Sequence, residues 1–407
     1  MKIVSLGIGL AVGLVLIAKV YFEQSYDDFY PDRDRVYQVW AKYQQNGGEL
    51  KDYPQTSGGI APTMQQQIPE IETVTRYTSF GDWTFTMTDT KMKYSGRCII
   101  ADSCFFDILP RPMLIGNAKE VLSTPMYVLI SSRIAKNIGG DVIGKNFTVD
   151  NSPGRTMTIG GVFEEVPENS HSRYDVIVSM ASAGRFMWEG SPTNMLGNDR
   201  YISYVKLHKG VNPLALEEQV RTFVNSYFPP EEQQKVGLSI DFSFHKLDNL
   251  HKELPQVKRM TWILSLLAFA LIFTAVMNYI LIVISSIVNR SKEVAVHKCY
   301  GASENNIHGM MFGEALVHIV LSLILALLLI LAFRGTVEEL LATSLDSLLL
   351  SNGSLVLLGI CILVFFVSGF MPGSLYARIP VASAFRNYRE NKRIWKKALL
   401  LVQFAVS

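Results

Sequence analysis

The sequence is short of charge, of cysteine and of catalytic motifs. Of its 407 residues only 18% are Asp, Glu, Lys or Arg, against about 25% in soluble domains. With 49% hydrophobic residues and a mean hydropathy of +0.20, that shortage excludes a disordered chain and a wholly soluble one. A formal net charge of +2 offers no field for nucleic acid. The seven histidines form no H-E-x-x-H pair and no clustered ligand spacing, so no metal is expected. A G-x-S-x-G nucleophile elbow is also missing. The one near match to a phosphate-binding loop runs Gly139-Gly140-Asp141-Val142-Ile143-Gly144-Lys145-Asn146. It ends in Asn146 where a hydroxyl would hold Mg²⁺, and a helical stretch precedes it where a strand belongs. It reads as a glycine turn. The chain is expected to be no enzyme and to carry no cofactor, so any ATP it depends on is hydrolysed by another chain.

What is present sits in blocks. A membrane-spanning helix needs ~20 mostly apolar residues. Residues 3–22, 261–288, 311–333 and 355–371 meet or approach that. The first block is long for a signal peptide and lacks a cleavage site after Ala18, so it reads as a retained span. Gly9 and Gly13, four apart, suit close helix approach in lipid. Lys and Arg counts set orientation. Arg290, Lys292 and Lys298 mark residues 289–310 as cytoplasmic, and Arg378, Arg386, Arg389, Lys392, Arg393, Lys396 and Lys397 mark the tail. The loop between the third and fourth spans sets Arg334 against Glu338, Glu339 and Asp346. That loop and residues 23–260 therefore lie outside. Residues 398–407 are almost wholly apolar and read as the opening of a fifth span, or less simply as an interfacial helix.

The outer segment has ordinary globular composition and enough length for one or two cores. Residues 36–43 alternate as a strand, 61–68 read as a helix and 74–80 as a strand. Residues 201–207, 216–227 and 238–244 repeat that order. Between the two units lie strand-like pieces at 84–88, 97–100, 127–130, 147–149, 157–163 and 176–179. The fold expected is membrane α-helical plus α+β: four spans, with two βα units flanking a β-rich insertion between the first and second.

Ionisable residues in a span are functional candidates. Glu314 and His318 share one helical face, and two readings stay open: a proton pathway, or polar groups facing the bundle near the cytoplasmic interface. Asn278 reads as an interhelical hydrogen bond. Cys299 is cytoplasmic and Cys361 lies in a span. Cys98 and Cys104 face an oxidising space where a disulfide persists, but their spacing closes only a small loop. A bond and two half-buried thiols both remain open.

Residues 290–303 read Arg290-Ser291-Lys292-Glu293-Val294-Ala295-Val296-His297-Lys298-Cys299-Tyr300-Gly301-Ala302-Ser303. This resembles the R-x-x-E-[IV]-G-[IV]-R-[KR]-x-x-G-A-[ST] signature of MacB/FtsX-type ABC transporter permeases. It departs at Ala295, His297 and Tyr300, and His297 gives up a permanent charge. Glu23, Ser25-Tyr26-Asp27, Phe29, Pro31 and Asp34-Arg35-Val36-Tyr37 resemble that family's E-x-S-Y-D-x-F-x-P-x-x-D-R-x-Y run. Phe163, Pro167, Asn169-Ser170-His171 and Tyr174-Asp175 resemble its F-x-x-x-P-x-N-S-H-x-x-F-D run. Ala101-Asp102 with Phe105-Phe106, and Glu314-Ala315-Leu316, fit as well.

The resemblance covers essentially the whole chain. It implies a transmembrane helix at 1–22, a MacB-like core of porter and sabre subdomains at 23–260, and an FtsX-like domain with three spans at 261–376. A basic linker and the start of a second repeat follow at 377–407, as in an eight-span member. It implies a bacterial inner-membrane permease, working as a dimer or as a pseudo-dimer with that second repeat, among membrane lipids. A separate cytoplasmic ABC ATPase would power it, and a periplasmic or outer-membrane partner would receive the substrate. Lys292, Glu293, Val294, Val296, His297, Lys298, Tyr300 and Gly301 would form the ATPase-coupling loop. Peptides, lipoproteins and similar envelope molecules are the substrate class implied for mechanotransmission, the export of substrate outside the bilayer. An FtsX-like regulator of a cell-wall hydrolase and a sensor without an ATPase are the alternatives.

Overall fold

Among the described residues, eleven strands form one mixed sheet in the outer part of the chain. The strands are β1 (Val36–Gln45), β2 (Lys51–Tyr53), β3 (Ile71–Met87), β4 (Lys93–Ala101), β5 (Met113–Ile115), β6 (Tyr127–Ser131), β7 (Asn146–Val149), β8 (Ser152–Phe163), β9 (Val176–Ser179), β10 (Ile202–Leu207) and β11 (Leu238–Lys246). Their order is β11-β1-β10-β3-β4-β9-β6-β8-β5, with β2 beside β1 and β7 joining β3 and β8. The computed structural model describes residues 2–150, 152–197, 199–349 and 353–377. It divides into two compact units, Ser25–Glu253 and Met1–Gln24 with Leu254–Ser407.

Two strand–helix–strand units interlock in the first unit. One runs β1, helix Ile60–Gln67, β3; the other runs β10, helix Glu217–Tyr227, β11. Each inserts a strand between the other's pair, and all three contacts are antiparallel. This is the split βαβ arrangement of ferredoxin-like folds. Ile60, Ala61 and Met64 of one helix and Val220, Phe223 and Val224 of the other pack on Val39, Ala41, Val205 and Leu207. Such burial supplies about 1.5–3 kcal/mol per large side chain.

The β-rich insertion grows out of β3. Residues 74–80 and 84–88 read as two strands in the sequence because Gly81-Asp82 looks like a turn. In the structure they form one strand of 17 residues. Gly81 has φ +75° and sits at a register shift between Ser79 and Gly81. The bulge re-aims the strand without ending it. The strand's first half pairs with β10 and its second with β7. The suspected phosphate loop is a turn between helix Ser132–Ile138 and β7, with Gly139, Gly140 and Gly144 at positive φ.

In the second unit, three helices are long and apolar enough to cross a membrane among the described residues: Lys2–Gln24, Pro255–Val283 and Asn305–Ala332. Helix Ser354–Ala377 contains a shorter apolar stretch, Leu355–Val364. Glycine sets the packing distance of the first helix. A Cβ at Gly9 would lie 2.3 Å from Ala275 Cβ, and one at Gly13 would lie 2.4 Å from Ile272 Cγ1. The backbones approach because nothing stands between them. The tail from Arg378 onward, including the expected fifth-span opening at 398–407, lies outside the described residues.

Candidate functional site

Residues 289–310 do not form a loop of that length. Helix Pro255–Cys299 continues 45 residues without a break, and helix Glu304–Ala332 begins after a four-residue turn. The physical reason is local. No glycine or proline interrupts residues 289–300, so helical hydrogen bonding propagates through them. Gly301 then turns the chain with φ +86°, a conformation that costs glycine little. Ser303 caps the next helix by accepting from the Asn306 amide at 3.3 Å.

The predicted coupling residues split by face. Val296 and Tyr300, one helical turn apart, are 44% and 89% exposed. Val294 is buried among Ala295, Ile307 and the bundle core, so the expectation that it offers a docking anchor is corrected. It faces inward because it lies two residues from Val296 on the helix. Glu293 and His297 are exposed and Lys298 is half-buried. The Lys292 side chain lies outside the described residues.

The intramembrane polar residues are placed among neighbours. Glu314 lies 3.9 Å from the Lys2 ammonium. His318 Nδ1 and the Tyr279 hydroxyl are 3.4 Å apart, and Asn278 is half-buried on the same helix as Tyr279. Sequence reasoning missed a more buried group. Lys19 Nζ pairs with Glu23 at 2.6 Å and donates to Thr343 Oγ1 at 2.7 Å. The signal was present: a lysine inside an apolar run, four residues before a glutamate.

The disulfide left open in the sequence is not formed. Cys98 and Cys104 are both free thiols. Strand alternation sends Cys98 into the cluster of Phe85, Val128 and Val178, and burial pushes its pKa well up. The helix that follows Cys104 packs Phe105 and Ile108 into a different cluster, with Ile99 and Tyr204. Cys104 itself lies beyond the end of β4, half-buried in the turn before that helix.

Two motifs recognised separately, 23–37 and 163–175, meet within the outer unit. Asp27 is 1% exposed and left-handed at φ 55°, which aspartate tolerates. Its carboxylate accepts from Ser170 Oγ at 2.6 Å, the His171 amide at 3.2 Å and His171 Nδ1. The Asp27 amide donates to Asn169 O at 2.9 Å. Asn169 Nδ2 in turn donates to Ser25 O at 2.6 Å. Tyr26 stacks on His251 with ring centroids 3.6 Å apart. A seam is thus closed between the first residues of the unit, the segment after β8 and the segment leaving β11. Nearby, Asp32 joins Arg35 at 2.9 Å and Lys206 at 2.6 Å. Hydrogen bonds from Arg35 and then Lys206 hold its pKa down at about 2.

Among the described residues no group of three or more potential metal ligands occurs. Residues 1–223 match the family of MacB-like periplasmic core domains, and residues 265–381 match the FtsX-like permease C-terminal family. A domain of a Porphyromonas gingivalis protein designated a permease is 33% identical, covering 53% of this chain and 91% of its own, with a TM-score of 0.49. The periplasmic region of MacB from Actinobacillus actinomycetemcomitans is 14% identical, covering 51% and 87%, at 0.35. The extracellular domain of the noncanonic ABC-type transporter YknZ from Gram-positive bacteria is 12% identical, covering 50% and 98%, at 0.35. No curated protein matches.

Proposed function

Because the chain belongs to the MacB/FtsX-type family of ABC transporter permeases, we propose that it couples a separate cytoplasmic ATPase to movement of its outer domain. The observation that carries this reading is the exposed pair Val296 and Tyr300 on the last turn of the long helix. An aromatic and an aliphatic side chain with charged neighbours suit a docking hot spot with an electrostatic rim. A helix unbroken from Pro255 to Cys299 is a stiff lever, so a push at Tyr300 is carried along it as a rigid-body displacement.

In this reading the four apolar helices span an inner membrane, with residues 1–22 as the first span. Residues 23–260 lie outside as porter-like units with a sabre-like insertion. Residues 261–376 form the FtsX-like domain, and 377–407 a basic cytoplasmic segment. The permease unit works as a dimer or pseudo-dimer. Substrate, a peptide, lipoprotein or similar envelope molecule, moves outside the bilayer and passes to an outer partner. No catalytic group is required of this chain.

Purification of the full chain with its native membrane partners tests the coupling. ATP hydrolysis should co-purify with the wild type. Tyr300→Ala with Val296→Glu should lower the bound ATPase by about tenfold, the loss of one hot spot. Hydrolysis retained at wild-type stoichiometry in that double variant removes the assignment. Hydrolysis that responds to an envelope peptide favours transport, whereas dependence on a cell-wall hydrolase favours regulation.

A further inference from the structure

Arg111 in the outer unit is only 5% exposed. None of its side-chain nitrogens makes a hydrogen bond of ordinary geometry among the described residues. Pro110 and Pro112 flank it and stiffen the backbone on both sides. Four aromatic rings surround the guanidinium, Phe163 at 5.1 Å and Phe105, Phe106 and Tyr174 at 5.8 Å. Ring faces attract a cation, but they leave five directional N–H donors unused. Burial pulls its pKa below the ordinary guanidinium value, and the groups opposing that are hydroxyls, Tyr30 and Tyr174 first. The Tyr30 hydroxyl, which shares a hydrogen bond with Ser172 Oγ at 2.5 Å, is a weak acceptor for Arg111 and cannot satisfy its five donors. A buried charge with unused donors needs an explanation beyond packing.

The explanation lies in the adjoining space. Arg111 forms part of the wall of a cavity of about 390 Å³, together with Arg97, Arg133 and Arg173. Asp82, Glu165 and Asp175 are the carboxylates there. Asp175 is already engaged by Arg133 at 2.5 Å, by the Arg97 amide at 2.9 Å and by Ser131. Arg97 and Arg173 are exposed at the rim. With the Arg133–Asp175 pair set aside, three guanidinium groups (Arg97, Arg111 and Arg173) remain beside two carboxylates, Asp82 and Glu165.

We propose that this cavity binds an oxyanion, a carboxylate or phosphate group, with Arg111 as the buried donor and Arg97 and Arg173 drawing the anion in. A guanidinium matches either group with two parallel N–H bonds, and the aromatic surroundings lower the local dielectric and strengthen them. Binding of this kind needs no ATP and no partner, so its outcome is independent of the coupling reading.

The test uses the full chain in a neutral detergent and isothermal titration calorimetry. The probes are inorganic phosphate, N-acetyl-dialanine with a free carboxylate, and the same peptide as its amide. Saturable binding of phosphate or of the free acid, with none of the amide, is expected. A preference for phosphate identifies a phosphate-ester ligand, and a preference for the peptide acid identifies a carboxylate ligand. Arg111→Met should weaken binding about tenfold or more, one bidentate pair lost. An apolar side chain suits the ring cage, so this variant should keep its unfolding midpoint. If it does not fold, Arg111→Lys is read in its place, with the charge kept and the fork lost. Arg97→Gln with Arg173→Gln should weaken binding several-fold and leave folding intact. Absence of saturable binding of both anions at about 10 mM, near the weakest affinity of interest, overturns the proposal. So does binding unchanged within about twofold in the Arg111 variant.

Discussion

Asp27 does for the outer unit what a clasp does for a loop, and the arrangement has a measurable consequence. Three donors converge on a carboxylate that is 1% exposed. Asp27→Ala removes the acceptor shared by Ser170 Oγ, the His171 amide and His171 Nδ1, at a cost of about 2–3 kcal/mol. For a domain of this size that is a fall of about 5–10 °C in the unfolding midpoint, to be read by calorimetry of the full chain in nanodiscs. A shift below about 2 °C would mean the seam is held elsewhere. Asp27→Asn keeps the left-handed backbone and should lose less. Asp32 makes a pH prediction. Its folded pKa of about 2 lies below the ordinary aspartate value of 3.8. Its contribution is therefore present above pH ~4 and lost as pH falls from there towards 2. Asp32→Asn should flatten the acid limb of the stability curve in that window and leave pH 7 to 8 unchanged in slope. Sequence reading singles out both motifs of the Asp27 seam, yet nothing in spacing says that residues 144 positions apart, Asp27 and His171, meet. Pairing partners are a tertiary fact.

At the scale of elements, the turn after the long helix separates two roles that the sequence merged. Val294 and Tyr300 stand in one motif, but one is 1% and the other 89% exposed. Val294→Ala should cost about 1–2.5 kcal/mol of bundle stability through lost burial and a small cavity. Tyr300→Ala should change stability by less than about 0.5 kcal/mol while reducing ATPase association. Measuring both properties in both variants distinguishes packing from docking, and a Tyr300 variant that melts early contradicts the assignment. The outer βα units were legible because alternation and helix periodicity are strong there, and β1 and β9 emerge close to where the pattern puts them. The short helix Pro230–Val236 was not, since it buries no residue and so leaves no apolar stripe to read. Strand β5 escaped notice for a related reason: three residues at the end of the sheet order give no period to count. The coupling segment reads as a loop because it lies between two apolar blocks, and hydrophobicity marks where a span ends but not where its helix ends. Charge on a helix surface is equally stable there.

For the whole molecule, the question is whether a change at the Tyr300 turn reaches the unit that begins at Ser25. Coupling between two sites is a free energy, and it acts in both directions. If the ATPase closes on a non-hydrolysable ATP analogue while docked at Val296 and Tyr300, the populations of outer-unit conformations must shift. If it docks without differential contacts, they cannot. Hydrogen exchange on the full complex reads this without knowledge of the substrate. Amides of the Asp27 seam and of the β3 bulge at Gly81 should change protection between the nucleotide-free and analogue-bound states. These are the places where the chain re-aims rather than continues a ladder, and such elements open at lower free energy than core strands. The same comparison with Gly301→Pro should show no difference at either place, because proline fixes φ near −65° where the turn requires +86°. Stability of the bundle supplies the control: Val294 must stay protected in the variant, so that lost transmission is told apart from lost folding. Equal exchange in both nucleotide states of the wild type would make the long helix an anchor and not a lever.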